Sequence, residues 1–148
     1  MRLWLPILAL LAGFGNSISF AQYGIVDCIE QKRLAVRRVQ GRVYDPGGVA
    51  LAGAIVTLSS DTEVAFQSKS DSSGKFSINA PSGRYVLKAA FPNFETTRAS
   101  VDVGVDIFSV VHPTALRVIL ALPGMNCPWV TTSNKEFKEL VHKHATQK

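Results

Sequence analysis

The residues best suited to chemistry are few and far apart in this sequence. Of its three histidines, His142 and His144 form the one close pair. If their segment is helical, the two imidazoles point in nearly opposite directions, whereas histidines that share a metal on one helix are spaced by three or four residues. His112 precedes a proline in a predicted loop, where it could line a ligand pocket or lie at the surface. The histidines therefore do not predict a metal site.

Other catalytic motifs are missing as well. The sequence contains neither the Gly-x-Ser-x-Gly nucleophile elbow nor the Gly-x-x-x-x-Gly-Lys phosphate loop. Its aspartates lack the Asp-x-Asp-x-Asp-Gly spacing of a calcium loop, and Asp71 fits a turn in which its carboxylate accepts from the backbone. We therefore expect no catalytic residue, no metal, no cofactor, and a protein that is not an enzyme.

The elements that must hold any site are short strands between turns. Val39, Gly41 and Val43 alternate with polar side chains, as expected of a strand with one buried face. The pattern recurs in six further runs, at residues 54–58, 64–69, 76–78, 85–91, 96–103 and 116–122. Seven strands at this spacing predict an all-β fold, a seven-stranded antiparallel β-sandwich of the Ig-like or prealbumin-like kind.

Four segments combine turn residues with strand alternation: Val-Gln-Gly-Arg-Val-Tyr-Asp from residue 39, Leu-Ala-Gly-Ala-Ile-Val-Thr-Leu from residue 51, Ser-Asp-Ser-Ser-Gly-Lys-Phe-Ser-Ile from residue 70, and Pro-Ser-Gly-Arg-Tyr-Val-Leu-Lys-Ala from residue 81. In this order they resemble the carboxypeptidase regulatory-like domain family. The resemblance implies a prealbumin-like or carbohydrate-binding-like sandwich, an accessory module found beside enzymes and surface proteins. The quoted motifs belong to the scaffold, so the family supplies no catalytic residue to carry over.

One enzyme family with a related sandwich is an alternative, namely the transthyretin-like hydroxyisourate hydrolases. Those enzymes are recognised by histidines and an arginine on the sheet and by a Tyr-Arg-Gly-Ser ending. This sequence ends in His-Ala-Thr-Gln-Lys, and its first histidine is His112. The residues that would carry hydrolysis are therefore not matched, and a hydrolase is the least favoured interpretation.

Residues 1–21 have the layout of a secretory signal peptide. Arg2 precedes an apolar run, and Ser19 and Ala21 fit the small-residue pattern of a cleavage site between Ala21 and Gln22. A membrane-spanning helix needs about 20 apolar residues, but glycine, asparagine and serine interrupt residues 13–17. We expect a secreted or periplasmic protein with no stable membrane span after signal removal.

The two cysteines, Cys28 and Cys127, flank all seven predicted strands. In an exported protein they favour one internal disulfide that would tie the ends of the sandwich together. Two buried free thiols, or a bond between two molecules, are the alternatives.

Ser133 to Glu136 has the pattern of a capping box, and an apolar stripe of Phe137, Leu140, Val141 and His144 follows. We predict a short amphipathic helix that docks near Trp129, with a free partner-binding helix as the alternative. The predicted organisation is a signal peptide (1–21), a lead segment (22–37), the sandwich (38–124) and a C-terminal segment with the helix (125–148).

Composition narrows the choice of partner. The net charge of +5 is modest, and the basic residues are scattered, which argues against nucleic acid. We expect a binding or accessory module for an envelope protein or glycan, with a candidate surface at Trp129, His112, Phe94 and Lys138. A sugar site would need exposed, coplanar rings, for which the candidates are Trp129, Tyr44, Phe91 and Phe94. The alternative is a structural module that pairs through a sheet edge or the C-terminal helix.

Overall fold

The computed structural model describes residues 31–61, 65–104 and 115–146, which form two facing β-sheets and one helix. The elements are β1 (Leu34–Val36), β2 (Val39–Tyr44), β3 (Ile55–Ser59), β4 (Ala65–Lys69), β5 (Lys75–Ile78), β6 (Gly83–Ala90), β7 (Thr97–Val103), β8 (Leu116–Ile119), β9 (Trp129–Thr131) and α1 (Asn134–Ala145).

Sheet A has the strand order β1-β7-β6-β3-β4, and sheet B has the order β5-β2-β8-β9. Most neighbouring strands are antiparallel, but β1 runs parallel to β7 and β2 runs parallel to β8. The all-β sandwich with a C-terminal helix is confirmed. The prediction of seven antiparallel strands is wrong, because the described residues contain nine strands and both sheets are mixed.

The two unpredicted strands, β1 and β9, lie outside residues 38–124 and extend the sheets on either side of that segment. Each has three residues, which is too short for an alternation of apolar and polar residues to be recognised in the sequence. Both are edge strands of the described sheets, and among the described strands β9 pairs with β8 alone. Their place in the sheets is set by long-range pairing rather than by a local pattern.

The core lies between the sheets and is made by the inward side chains that alternation predicts. Val43, Leu58, Leu87 and Val101 are fully buried, and the buried Thr97 hydroxyl donates to the carbonyl of Ile119 at 3.2 Å. β2 and β8 approach each other closely at Gly41. A Cβ atom there would lie 2.0 Å from the Leu116 carbonyl oxygen, so this position requires glycine.

Helix α1 begins with half of the predicted capping box. The Ser133 hydroxyl accepts from the Glu136 backbone N–H at 3.2 Å. The Glu136 carboxylate, however, accepts from the Trp129 indole N–H at 3.0 Å and from the Thr131 hydroxyl, while Thr131 Oγ1 accepts from the Ser133 N–H at 3.0 Å. In a complete capping box the Glu136 carboxylate would accept from the Ser133 backbone N–H. Here it accepts from two side-chain donors on β9 instead. No helix in the described part of the chain is long and apolar enough to cross a membrane.

Candidate functional site

The outward side chains of sheet B form three rows that run across its strands. The register pairs β5 with β2, β2 with β8, and β8 with β9, which sets residues of neighbouring strands directly opposite each other. These are a polar row (Ser77, Gln40), a cationic row (Lys75, Arg42, Arg117) and an apolar row (Tyr44, Ile119, Trp129).

Helix α1 covers the apolar row. Ile119 has no exposed surface although it lies outside the core cluster between the sheets. The Phe137 ring contacts Tyr44 with the centroids 4.6 Å apart, and Trp129 donates its indole N–H to Glu136. The helix therefore docks on sheet B beside Trp129, as the sequence predicted.

Beyond the helix, the remaining face of sheet B opens into a cleft of about 700 Å³. It extends past the edge strand β5 to β4, which contacts β5 at the corner between the two sheets. Its lining residues are Gln40, Gly41, Arg42, Tyr44, Ser68, Lys69, Asp71, Lys75, Phe76, Ser77, Ala115, Leu116 and Arg117. The polar and cationic rows thus form the floor of this cleft.

Among the residues that the structure describes, four cationic side chains and one carboxylate line the cleft. The carboxylate is Asp71, whose Oδ1 accepts from the Ser73 N–H and hydroxyl, both at 2.8 Å, and from the Lys75 N–H at 2.9 Å. Hydrogen bonds from the Ser73 hydroxyl first, and then from these backbone groups, hold the pKa of Asp71 below its usual value. Asp71 is thus an ionised turn residue, and the lining as a whole is positive.

The cationic row has no acidic partner within ion-pair distance among the described residues. The two ion pairs found there, Arg33 with Asp102 at 2.9 Å and Lys135 with Glu139 at 3.9 Å, lie outside the cleft. Like charges directly opposite each other on neighbouring strands destabilise a sheet. The row therefore has an energetic cost that an anion in the cleft would offset.

Arg117 is held in place, whereas Arg42 and Lys75 are exposed. One Arg117 nitrogen donates to the carbonyl oxygens of Thr132 at 3.1 Å and Ala115 at 3.4 Å. The guanidinium carbon lies 6.0 Å from the centre of the Phe137 ring. The docked helix therefore helps to fix one of the three cations.

A second cavity, of about 370 Å³, lies between the turn after β2 and the end of α1. Phe94, Leu122, Met125 and His144 are among its lining residues. Burial lowers the pKa of His144, an effect that the nearby Pro46 carbonyl opposes only in part. The cavity is lined mostly by apolar residues, and burial favours the neutral form of the imidazole at its side.

The predicted site residues do not come together in the cleft. Trp129 and Lys138 lie at the helix, with Lys138 exposed, and Phe94 lies at the second cavity. His112 and Cys28 lie outside the described residues, as do the cleavage-site residues Ala21 and Gln22. The pairing of Cys28 with the described Cys127 therefore stays a prediction.

Three of the four aromatic residues proposed for sugar stacking, Tyr44, Phe91 and Phe94, belong to tilted ring pairs. The ring planes of Tyr44 and Phe137 meet at 45°, and those of Phe91 and Phe94 meet at 58° with the centroids 5.8 Å apart. The coplanar, exposed arrangement that would favour a sugar site is not formed by these pairs. Sequence reasoning missed the cationic row, since only the register between distant strands assembles it.

Comparison with known proteins gives one family match. The model of the carboxypeptidase regulatory-like domain matches residues 38–115. Among solved structures, the chain is similar to Klebsiella pneumoniae 5-hydroxyisourate hydrolase, with 17% identity and a TM-score of 0.49 over 67% of this chain and 100% of that chain. No match was found among curated proteins. The family match contains β2 to β7, whereas β1, β8, β9 and α1 lie outside it.

Proposed function

Because the chain belongs to the carboxypeptidase regulatory-like domain family, we propose that it is an exported, non-catalytic module of the cell envelope that binds a partner protein or glycan in the cleft on sheet B. The main support is the cleft itself. It joins a row of cations that have no ion-pair partner among the described residues to a row of hydrogen-bonding side chains on the same sheet. Such a surface can recognise a partner without any chemical step.

The side chains of the cleft suit recognition better than catalysis. Gln40, Ser68 and Ser77 offer hydrogen bonds, and the arginines and lysines offer positive charge. Asp71 is the one carboxylate among the described lining residues, and its lowered pKa makes it a weak proton acceptor. Within the described residues, no group of three or more His, Cys, Asp or Glu side chains could hold a metal ion.

The proposed export rests on residues 1–21. Their apolar run and small-residue ending support cleavage after Ala21 by a signal peptidase. The mature protein would then begin at Gln22, with a net charge that is still basic. An envelope location would also allow Cys28 and Cys127 to oxidise.

The test uses the full chain expressed in an exporting host. Intact-mass measurement of the exported protein should give a chain that starts at Gln22. The immobilised protein should then retain a component of an envelope extract or a glycan from an array. The proposal is contradicted if Met1 is kept, or if the protein retains nothing beyond the blank matrix.

Matched charge variants locate the binding surface. The double variant Arg42→Glu with Lys75→Glu should no longer bind the component that the unmodified protein retains. The control is Lys88→Glu with Arg98→Glu, which makes the same charge change at a directly opposed pair on the other sheet, β6 with β7. Equal loss in both double variants would mean that net charge, and not the cleft, governs binding.

A second candidate function is an assembly module that pairs through a sheet edge. The edge strand β4 favours it, because Lys69 is its one charged residue and charges are what commonly protect such edges. Gln67→Lys adds a charge at an exposed position of β4. If this change abolishes capture while the cleft variant does not, the partner binds at the edge.

A further inference from the structure

Granted the binding function proposed above, we propose that the partner in the cleft is an acidic peptide, an extended protein segment whose Asp and Glu carboxylates lie on the cationic row of Lys75, Arg42 and Arg117. The three cations stand on three neighbouring strands in direct register. Two of them are exposed, and the third is held by backbone carbonyls.

The spacing of the row suits an extended chain. Neighbouring strands lie about 4.8 Å apart, so the row spans about 10 Å at the level of the backbone. Side chains on one face of an extended peptide repeat about every 6.7 Å, so carboxylates of alternate residues come within reach of successive long cationic side chains. Gln40 and Ser77 lie one row away, where they can hydrogen-bond the peptide backbone.

Charge complementarity points to carboxylates. The described lining holds four cations, namely Arg42, Lys69, Lys75 and Arg117, and one carboxylate. That carboxylate, Asp71, already accepts hydrogen bonds within its own turn. A guanidinium can hold a carboxylate through two parallel hydrogen bonds. Arg117 is partly fixed before any ligand arrives, which lowers the entropic cost of forming such a pair.

The aromatic residues of the lining favour a peptide over a glycan. Tyr44 is paired with Phe137 beneath the helix, and Phe76 is only 5% exposed because it faces the core. Neither offers an open ring face on which a sugar could stack. The polar groups that the described lining leaves accessible are cations, hydroxyls, one amide and the Asp71 carboxylate, which is already hydrogen-bonded within its own turn.

The test measures the anisotropy of a fluorescein-labelled twelve-residue peptide of alternating Glu and Ala against the full chain. We expect the variant Arg42→Gln with Lys75→Gln to weaken binding about tenfold or more, because two charge-assisted contacts are lost. The control Lys88→Gln with Arg98→Gln should stay within about twofold of the unmodified protein, since it makes the same charge change elsewhere. Added salt should weaken binding by the unmodified protein.

Stability measurements separate lost binding from lost folding. The unfolding midpoint of the cleft variant should equal or exceed that of the unmodified protein, because opposed like charges have been removed. A fall in the midpoint together with lost binding would mean that the two side chains are structural, which overturns the inference. Equal affinity of the cleft and control variants for the peptide would overturn it as well.

An oligogalacturonide of the same charge tests the competing ligand class. If it displaces the labelled peptide at lower concentration than unlabelled peptide does, the partner is an acidic glycan and the inference is wrong. If the peptide fails to bind while the envelope component is still captured through the cleft, the inference alone fails. If capture fails as well, the binding function itself is wrong.

Discussion

At the scale of single residues, Asp71 shows how one carboxylate can close a turn and also line a cleft. Its position before Ser-Ser-Gly predicts local hydrogen bonds, and the structure has three of them on one oxygen. The same carboxylate lines the cleft, where it is the one negative group beside four cations among the described lining residues. Its role is structural, because the turn that it closes sets the start of β5 and so the position of Lys75.

Replacement of Asp71 by Ala should destabilise the protein at neutral pH and much less in acid. The pKa of Asp71 is lower in the folded protein than in the unfolded chain, so its stabilising effect is present above the unfolded pKa. The effect is lost as the pH falls through the lower, folded value. Urea unfolding of the variant and the unmodified protein should therefore differ at pH 7 and converge near the acid limit.

The matched control for this prediction is Asp61→Ala, which removes an exposed turn carboxylate outside the cleft. An equal pH-dependent loss in both variants would show that the effect comes from net charge rather than from the hydrogen bonds of the turn.

At the scale of elements, α1 stabilises sheet B although none of its own residues is fully buried. The helix lies across the apolar row and excludes solvent from Ile119. Its contacts are specific, since Phe137 packs on Tyr44 and Glu136 accepts from Trp129. Truncation of the helix would therefore expose an apolar strip of the sheet beside the cleft.

Phe137→Ala should lower the free energy of unfolding by about 2 kcal/mol, because it removes a half-buried ring and its aromatic contact. The neighbouring Lys138→Ala should change it by less than about 0.5 kcal/mol, since Lys138 is exposed. Chemical denaturation measures both. In the proposed mature chain, which would lack Trp4, Trp129 is the one tryptophan, so its emission should shift to longer wavelength in Phe137→Ala only.

Equal stability of the two variants would show that the helix does not need its aromatic contact in order to dock. A red shift of Trp129 emission in Lys138→Ala would contradict the assignment of that residue to the exposed face.

The strands that the sequence predicted are those long enough to show a clear alternation of apolar and polar residues. β2 presents three buried residues in alternate positions and β7 presents four, so the pattern alone reveals both strands. β1 and β9 have three residues each and depend on partners far away in the chain. The direction of pairing was missed for the same reason, since periodicity shows which face is buried but not which strand lies beside it.

The candidate site was less predictable than the fold. Arg42 occupies an outward position of a predicted strand, and nothing local distinguishes it from other exposed arginines. Its proximity to Arg117 exists only because β2 and β8 pair in parallel with these residues opposite each other. Trp129 and Phe94 were predicted as surface-binding residues because they are aromatic, yet neither lines the cleft.

At the scale of the whole molecule, contacts join the two ends of the described chain. The Gln31 side chain donates to the Pro128 carbonyl at 2.8 Å and accepts from the Val130 N–H at 2.9 Å. Gln31 thereby supplies hydrogen-bond partners to one backbone group of β9 and to one just before it. Gln31 follows Cys28 by three residues, and Pro128 follows Cys127, so this contact supports the predicted disulfide between the two cysteines.

Non-reducing peptide mapping of the exported protein should recover Cys28 linked to Cys127. Reduction should lower the free energy of unfolding by up to about 4.5 kcal/mol, since the bridge closes a loop of about 100 residues. Cys28→Ser with Cys127→Ser should reproduce that loss without a reductant. Alkylation of both thiols in the native protein would contradict the bridge.

The parallel pairs also bear on how fast the chain can fold. Gly41 pairs with Leu116 and Leu34 with Val101, so neither sheet is complete until strands from both ends of the chain are present. Such long loops must close before their contacts form, and β-sandwiches of this kind fold in milliseconds to seconds rather than microseconds. Until β8 arrives, the edge of β2 that it will occupy is unpaired. The nascent chain therefore remains open to foreign strands at this edge until β8, which ends at Ile119, has been made.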